Sequence, residues 1–391
     1  MNNKKPYRVL LDGSGITLPG KGVARVQINL LTRLLKREEG VEYFIVVRRG
    51  VVDAVMNSEN KISGAKIVEI KIRSQLWWSQ ITLPRLAKSL QVDQIYTQVE
   101  TPPFWGPPCI CHIFEDPEKR YLIPRLVKES WKKEIKQVIA RWIYQMLWRK
   151  AVSRANKIVT STNVIRMEIA KKLNISDDTI NVLPLGVDRN VFYPVHVEKV
   201  IPKVKIAEPY LFHLGSKDAR DLTTEIILAY DMAYKIAIKT GVKLPTLIVG
   251  GEITNSLYSS VRNVDKLLRE SQIRFLGRLT DEELCNWMGR ALFCVQPSLY
   301  EGFGLTVLEE MACGTPVIVF KEQTTIEVAG ESVYYASENS IDSLANAIVS
   351  LYFNSNLREQ LIGLAFERLK DFEWDIVSEK LHNLIWAECT K

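Results

Sequence analysis

At 391 residues, 47% hydrophobic and 25% charged, the chain can hold two or three globular domains and is too evenly mixed to be fibrous or disordered. No apolar run reaches the ~18 residues of a spanning helix, and the opening Met1-Asn2-Asn3-Lys4-Lys5-Pro6 has no apolar leader core, so a cytoplasmic location is expected. The net charge of +7 is uneven: residues 1–200 hold 33 basic and 19 acidic residues, and the rest 19 and 26, so the first half is expected to meet something anionic.

Tyr7 to Leu11 reads as a buried strand ending at Asp12-Gly13-Ser14-Gly15. Leu18 stands where a dinucleotide fingerprint needs its third glycine, which excludes a Rossmann dehydrogenase. Gly20-Lys21-Gly22 then opens a helix, with Val23, Val26, Leu30 and Leu34 at helical spacing. Val41 to Val47, Ala65 to Ile70 and Gln94 to Thr97 read as strands, with a helix from Leu83-Pro84 to Leu90. Strands alternating with helices predict a parallel sheet covered on both faces.

After the proline-rich Pro102 to Pro108 comes a strand from Cys109 to Phe114, ending at Glu115-Asp116-Pro117. Cys109 and Cys111 share one strand face and His112 points the other way. None of the six cysteines falls in a two-pair metal spacing, so buried thiols in a reducing compartment are expected and zinc is not.

The stretch 119–172 holds 15 basic and 3 acidic residues. Trp131, Ile135, Val138, Trp142 and Met146 form a helical stripe within it, with Lys132, Lys133, Lys136 and Arg149 off the stripe. Such a helix either packs its stripe on the first sheet or lies on an anionic membrane surface. The aromatics are not interleaved as in a single-strand platform, so nucleic acid is not an expected partner.

Lys157 to Thr160 and Ile180 to Leu183 read as strands, with Ser161-Thr162-Asn163 capping a helix to Leu173. Val195 to Glu208 is polar, aperiodic and proline-bearing, and reads as the interdomain linker. Tyr210 to Gly215 opens a second domain, and His213, alone on an apolar run, reads as a core histidine. Leu244 to Gly250 and Ile273 to Leu276 are further strands, and Thr280 with Glu283 predicts a capping box.

Leu292 to Gln296 is then a short buried strand, and Gly302-Phe303-Gly304 a tight turn. A helix follows from Leu305, with Leu308 and Ala312 at helical spacing, and Gly314 and Pro316 end it. The first amides of such a helix lack internal partners and sit at the positive dipole end, which favours phosphate. Glu301 in the turn and Glu309 one turn into the helix suit sugar and ribose hydroxyls. Together these features predict a pocket for a nucleotide sugar.

The run from Glu301 through Gly302-Phe303-Gly304-Leu305 to Glu309, with Met311-Ala312-Cys313-Gly314-Thr315-Pro316 behind it, resembles the signature of the retaining glycosyltransferases of family four. Pro184-Leu185-Gly186-Val187-Asp188 and Glu327-Val328-Ala329-Gly330 resemble the same family, densely from Lys157 onward and thinly before residue 100. The resemblance implies the GT-B fold: two Rossmann-like, doubly wound parallel-sheet α/β domains facing a central cleft. Residues 1–200 would bind the acceptor, 201–372 the nucleotide sugar, and 373–391 would be a helix crossing back to the first domain.

It further implies that Arg220, helped by Lys217, grips the donor diphosphate with the amides of Gly302, Phe303, Gly304, Leu305 and Thr306. Glu301 would hold the sugar, Glu309 the ribose, the loop with Arg278 the base, and Gly22, in the first domain's glycine loop, would join the donor-binding residues. Glu115 and Asp116 stand at the position of a histidine–aspartate pair beside the acceptor hydroxyl. Glu115 in place of the histidine is a departure, as is Asp221 where a second cation is usual. With no Asp-x-Asp triplet in the chain, no metal and no cofactor beyond the donor are expected. The implied activity is retaining transfer from a UDP- or GDP-linked sugar to a glycan or lipid-linked acceptor. A sugar-nucleotide 2-epimerase, or a non-catalytic relative that binds donor or membrane, are the alternatives.

Overall fold

The computed structural model describes residues 6–17, 22–37, 40–52, 66–72, 74–98, 101–122, 131–195, 209–216, 218–252 and 272–389, without side chains at 120–141 and 219. The chain divides into two compact units, Met1–Gly186 with Phe372–Lys391, and Val187–Asp371.

The first unit is built on a seven-stranded sheet: β1 (Tyr7–Gly13), β2 (Val41–Arg48), β3 (Lys66–Ile70), β4 (Gln94–Thr97), β5 (Cys109–Ile113), β6 (Lys157–Thr160) and β7 (Ile180–Val182). Their spatial order is β3-β2-β1-β4-β5-β6-β7, and every pairing is parallel. Parallel neighbours need crossovers, which α1 (Gly22–Leu35), α2 (Leu83–Ser89), α3 (Pro117–Leu122), α4 (Trp131–Val152) and α5 (Asn163–Leu173) supply. Strands buried on both faces read as unbroken apolar runs, as Val9, Leu10 and Leu11 do. Thr162 caps α5 as expected, accepting from the Ile165 amide at 3.2 Å, which is worth about 1 kcal/mol.

The second unit holds β8 (Tyr210–Leu214), β9 (Thr246–Gly250), β10 (Ile273–Gly277), β11 (Phe293–Val295), β12 (Val317–Val319) and β13 (Tyr334–Tyr335). Their order is β10-β9-β8-β11-β12-β13, again all parallel. The helices are α6 (Thr223–Lys239), α7 (Asp281–Gly289), α8 (Leu305–Ala312), α9 (Gln323–Ala329), α10 (Ile341–Phe353) and α11 (Ser355–Arg368). The core gathers β-strand Leu211, Leu247, Val249, Phe293, Val295 and Ile318 against α6 and α10. The capping box at Thr280 and Glu283 is present, with amide bonds of 3.2 and 2.9 Å.

The last helix, α12 (Trp374–Cys389), belongs to the first unit. It lies on α1, with Arg33 Nε 3.1 Å from Asp375 Oδ1, and Tyr43 Oη is 2.8 Å from His382 Nδ1. The units divide at Gly186–Val187, ahead of the polar stretch expected to separate them; 196–208 lies outside the described residues. Phe192 is buried within the second unit, and the Tyr193 carbonyl accepts from the Cys285 thiol at 3.5 Å.

On α4 the described part of the stripe is not packed on the sheet. Trp142 and Met146 are 61% and 52% exposed, joined by exposed Ile143 and Leu147, while Trp148, Ala151 and Val152 on the opposite side are buried. The helix is apolar on two faces, and the stripe singled out in the sequence is not the buried one at the positions described; Trp131, Ile135 and Val138 have no described side chains.

Candidate functional site

In the second sheet the strand order reverses between β8 and β11, and open α/β sheets bind ligands beyond the carboxyl ends of strands at such a point. Two side chains lock these strand ends together. His213 is fully buried, with Nδ1 3.0 Å from the Val295 carbonyl and Nε2 3.0 Å from Thr223 Oγ1. A carbonyl only accepts, so Nδ1 carries the proton and Nε2 accepts from the threonine. Burial pushes the imidazole pKa down to about 4, so His213 is a neutral structural clamp, as expected. Beside it, the Gln296 amide bonds both backbone groups of Leu214, at 3.3 and 3.2 Å.

The loop after β9 packs tightly onto the loop after β8. A Cβ on Gly251, at φ +99, would lie 1.8 Å from the Gly215 carbonyl oxygen, so only glycine fits. After β11, the Ser298 hydroxyl donates to the Tyr300 carbonyl at 3.1 Å and shapes the turn before Glu301. Gly304 ends that turn at φ 87, ψ 42 and is the N-cap of α8. It has no side chain with which to cap, and a Cβ there would meet no described atom within 4 Å. The helix tip therefore faces open space, an arrangement that suits an anion.

The charges that act on Glu301, in the turn before this tip, are Arg220, Asp221 and Glu322. Burial raises the Glu301 pKa to about 7; Arg220 and the nearby Ser298 side chain oppose the shift, and Asp221 and Glu322 add to it. Glu301 thus holds its proton to a higher pH than an ordinary carboxyl. Arg220, in the short 3-10 turn Ala219–Asp221 after β8, is held by Asp218: Nε lies 3.1 and 3.2 Å from its two oxygens and Nη2 2.8 Å from Oδ2. Glu322, after β12, caps α9 by accepting from the Thr325 amide at 2.8 Å. Arg220 and Glu301 thus lie close enough for the guanidinium to lower the carboxyl pKa.

Glu309 lies on α8 one turn beyond Leu305 and is 5% exposed. Its neighbour Glu310 is 0% exposed, and among the described residues neither carboxyl oxygen has a hydrogen bond of ordinary geometry. Burial drives its pKa well above the usual carboxyl range, with the Cys294 thiol beside it, so Glu310 is neutral and belongs to the core. Arg278 is exposed past the end of β10, and Lys217 lies outside the described residues. A hollow of about 490 Å³ opens at the opposite, amino end of this sheet, lined by Pro209, Arg290, Leu292, Pro316 and Arg358; no predicted site residue borders it.

In the first unit, Gly22 begins α1 and is exposed, and Glu115 is half-buried at the end of β5. Asp116 departs from its expected role. Its Oδ1 accepts from the Glu118 amide at 2.8 Å and pairs with Lys172, whose ammonium also lies 2.6 Å from Glu118. The Lys172 side chain is 6% exposed. The carboxylate therefore holds the start of α3 to α5, and the acceptor-side reading at this strand end passes to Glu115 alone.

Three residues of the second unit were not singled out in the sequence: Asp218, Glu322 and Glu310. Asp218 had a local signal, an aspartate two residues ahead of a key arginine, the Asx-turn spacing. Glu322 stands three residues before Thr325, a capping spacing. Glu310 had none, because its burial depends on what β11 presents to α8.

Comparison with known proteins fits this geometry. Residues 224–368 match the profile of the family described as glycosyl transferases group 1. Over 231 residues the chain is 27% identical to the O-antigen chain mannosyltransferase B of Escherichia coli, covering 58% of this chain and 59% of that one. The chain thus spans about three fifths of the length of that curated relative. Among solved structures, the sucrose-phosphate synthase of Thermosynechococcus elongatus superposes with a TM-score of 0.71 at 16% identity, over 98% of this chain and 99% of that one. The Anabaena protein HepE, solved in complex with UDP and glucose, gives 0.67 at 14% identity, over 97% and 100%. The chain thus carries the GT-B fold of two Rossmann-like sheets, and residues 224–368 of its second unit match the glycosyl transferases group 1 profile.

Proposed function

We propose that the chain is a glycosyltransferase that moves a sugar from a UDP- or GDP-linked donor to a hydroxyl of a glycan or lipid-linked acceptor, with retention of anomeric configuration. One observation carries this reading: at the switch point of one sheet the open tip of α8 at Gly304 follows Glu301 in the same turn, and the Arg220 charge acts on the Glu301 carboxyl. The tip and the arginine suit a diphosphate, and the Glu301 carboxyl suits sugar hydroxyls. The mannosyltransferase relative and the HepE complex with UDP and glucose support the same substrate class.

The bond between the anomeric carbon and the diphosphate oxygen breaks, and the acceptor oxygen bonds to that carbon. The acceptor proton passes to the leaving phosphate oxygen. Charge develops on the diphosphate, so Arg220 and the amides of Gly302 to Thr306 supply the main stabilisation. Glu309 holds the ribose and the loop with Arg278 the base, Gly22 belongs to the donor contacts, and Glu115 serves the acceptor. The lack of any Asp-x-Asp triplet supports transfer without a divalent metal, which predicts full activity in EDTA.

The purified protein should bind UDP or GDP by calorimetry, and Glu309→Ala should weaken that binding more than it lowers the melting temperature. Unchanged affinity would remove the ribose role. Turnover of a nucleotide sugar with no acceptor present would favour the 2-epimerase, and nucleotide binding with neither transfer nor hydrolysis would favour a non-catalytic relative.

An anionic membrane surface is the proposed partner of the stretch 119–172. Trp142, Ile143, Met146 and Leu147 are exposed on α4, with Arg149 and Lys150 exposed one turn further on, a mixture that suits the headgroup boundary. Among the described residues no helix is long and apolar enough to cross a membrane. The six cysteines are free thiols, which supports a reducing compartment and hence the cytoplasmic face. Sedimentation with phosphatidylglycerol vesicles but not phosphatidylcholine vesicles, weakened in Trp142→Ala, is the expected result.

A further inference from the structure

We propose that Asp218 is the positioning residue of Arg220, fixing the guanidinium for the donor diphosphate; this rests on the donor reading above. Asp218 sits between β8 and the turn that carries Arg220. The Ser216 hydroxyl accepts from its amide at 3.0 Å, and its carbonyl accepts from the Asp221 amide at 3.2 Å. Its carboxylate accepts from the Arg220 amide at 3.1 Å and takes the Nε and Nη2 donors along one edge of the guanidinium.

A guanidinium carries five N–H donors in a planar fork. Asp218 takes those of one edge, which sets the plane and direction of the other. A long side chain fixed before the ligand arrives loses less rotamer freedom on binding. The contact spans only two residues and is partly built from backbone, so it survives independently of packing elsewhere.

Coulomb's law and positioning make opposite forecasts. Removing a negative charge beside a diphosphate should tighten binding if the charge acts only through its field. Asp218 is 38% exposed at its side chain, so solvent screens that field strongly, and positioning dominates. Asp218→Ala should therefore weaken binding of UDP or GDP about tenfold, which corresponds to 1.4 kcal/mol. Asp218→Asn should recover much of the loss, because its remaining oxygen can accept from the Arg220 amide and Nε.

The test is a double-mutant cycle by calorimetry with the nucleoside diphosphate that the wild-type protein binds, melting curves being recorded in parallel. Expected are a tenfold loss in Asp218→Ala, partial rescue in Asp218→Asn, and no further loss when Asp218→Ala is added to Arg220→Ala. Tighter binding in Asp218→Ala, or the same tenfold loss in the Arg220→Ala background, overturns the positioning role while leaving the donor reading intact. Should Asp218→Ala melt below the assay temperature, Asp218→Asn and Asp218→Glu carry the same comparison. A wild-type protein that binds neither UDP nor GDP overturns the donor reading, and the positioning role with it.

Discussion

The two sheets share one topology up to their sixth strands, and each has a carboxylate at its switch point. Asp12 ends β1 beside β4, and Glu301 follows β11 beside β8. Asp12 is fully buried and saturated by the protein itself, accepting from the Ser14 amide at 3.0 Å, Trp78 Nε1 at 3.2 Å and Thr97 Oγ1 at 2.9 Å. Glu301 is half-buried, shares its surroundings with one arginine and two acids, and stands beside an open helix tip. Topology supplies the same crevice twice. Whether it serves folding or a ligand depends on how many hydrogen bonds the protein completes by itself.

The largest effect should come from Arg220→Ala. Losing the cation that faces the developing diphosphate charge should lower transfer about 100-fold or more, with the melting temperature within a degree or two of wild type. Asp12→Ala should do the reverse. It leaves three buried donors without their acceptor, at a cost of about 3 kcal/mol in the first unit, and UDP or GDP binding by the second unit should stay unchanged wherever the protein is folded. A fall in transfer without a fall in stability would make Asp12 a ligand residue and erase the contrast.

Acidity separates the same unit's clamps from its liabilities. His213 titrates at about 4 when folded, against 6.5 as the ordinary value. Its stabilisation is complete above pH 6.5 and is lost as the pH falls toward 4. Glu310 acts in the opposite sense: its folded pKa is raised far above 4.5, so the unfolded chain ionises first and stability is lost as the pH rises through and beyond 4.5. Glu301 adds a similar loss that is complete by about pH 7. The second unit should therefore be most stable in weak acid. Glu310→Gln should leave the melting temperature at pH 5 nearly unchanged and raise it by a few degrees at pH 8. An equal shift at both values would mean that Glu310 is not buried neutral.

Much of this site could be read from the chain because its signals are local. A strand, two turn glycines and a helix stop lie within one run, and the capping box at Thr280 and Glu283 spans four residues. His213 was legible as a core residue because its apolar strand offers an isolated histidine no second ligand and no acid or base to work with. What could not be read depends on partners distant in sequence. Glu309 and Glu310 are chemically identical neighbours about 100° apart on one helix, and only β11 decides that the second faces Cys294. Asp116 looked like an acceptor-side carboxylate because Lys172, which claims it, lies 56 residues away. The two apolar faces of α4 compete for burial, and periodicity alone cannot rank them. The unit boundary followed the packing of Phe192 and Tyr193, whereas the expected linker followed polarity.

The smallest predicted effect is also the most selective. Gly304→Ala forces an L-residue to φ +87 with no steric neighbour, so its only intrinsic cost is the left-handed backbone, about 1 kcal/mol. Gly241 is a matched control: it lies at φ +81 with open space around it, just past the end of α6, on an element that bears no predicted ligand contact. Alanine at either position should lower the melting temperature of the second unit by about 2–4 °C. Only Gly304→Ala should weaken binding of UDP or GDP, because its methyl group projects into the space that a phosphate needs to reach the first amides of α8. Equal stability losses with unequal binding losses would separate backbone strain from ligand approach. Equal losses in both would mean that the open space at the tip of α8 has no more to do with the nucleotide than the open space at the end of α6.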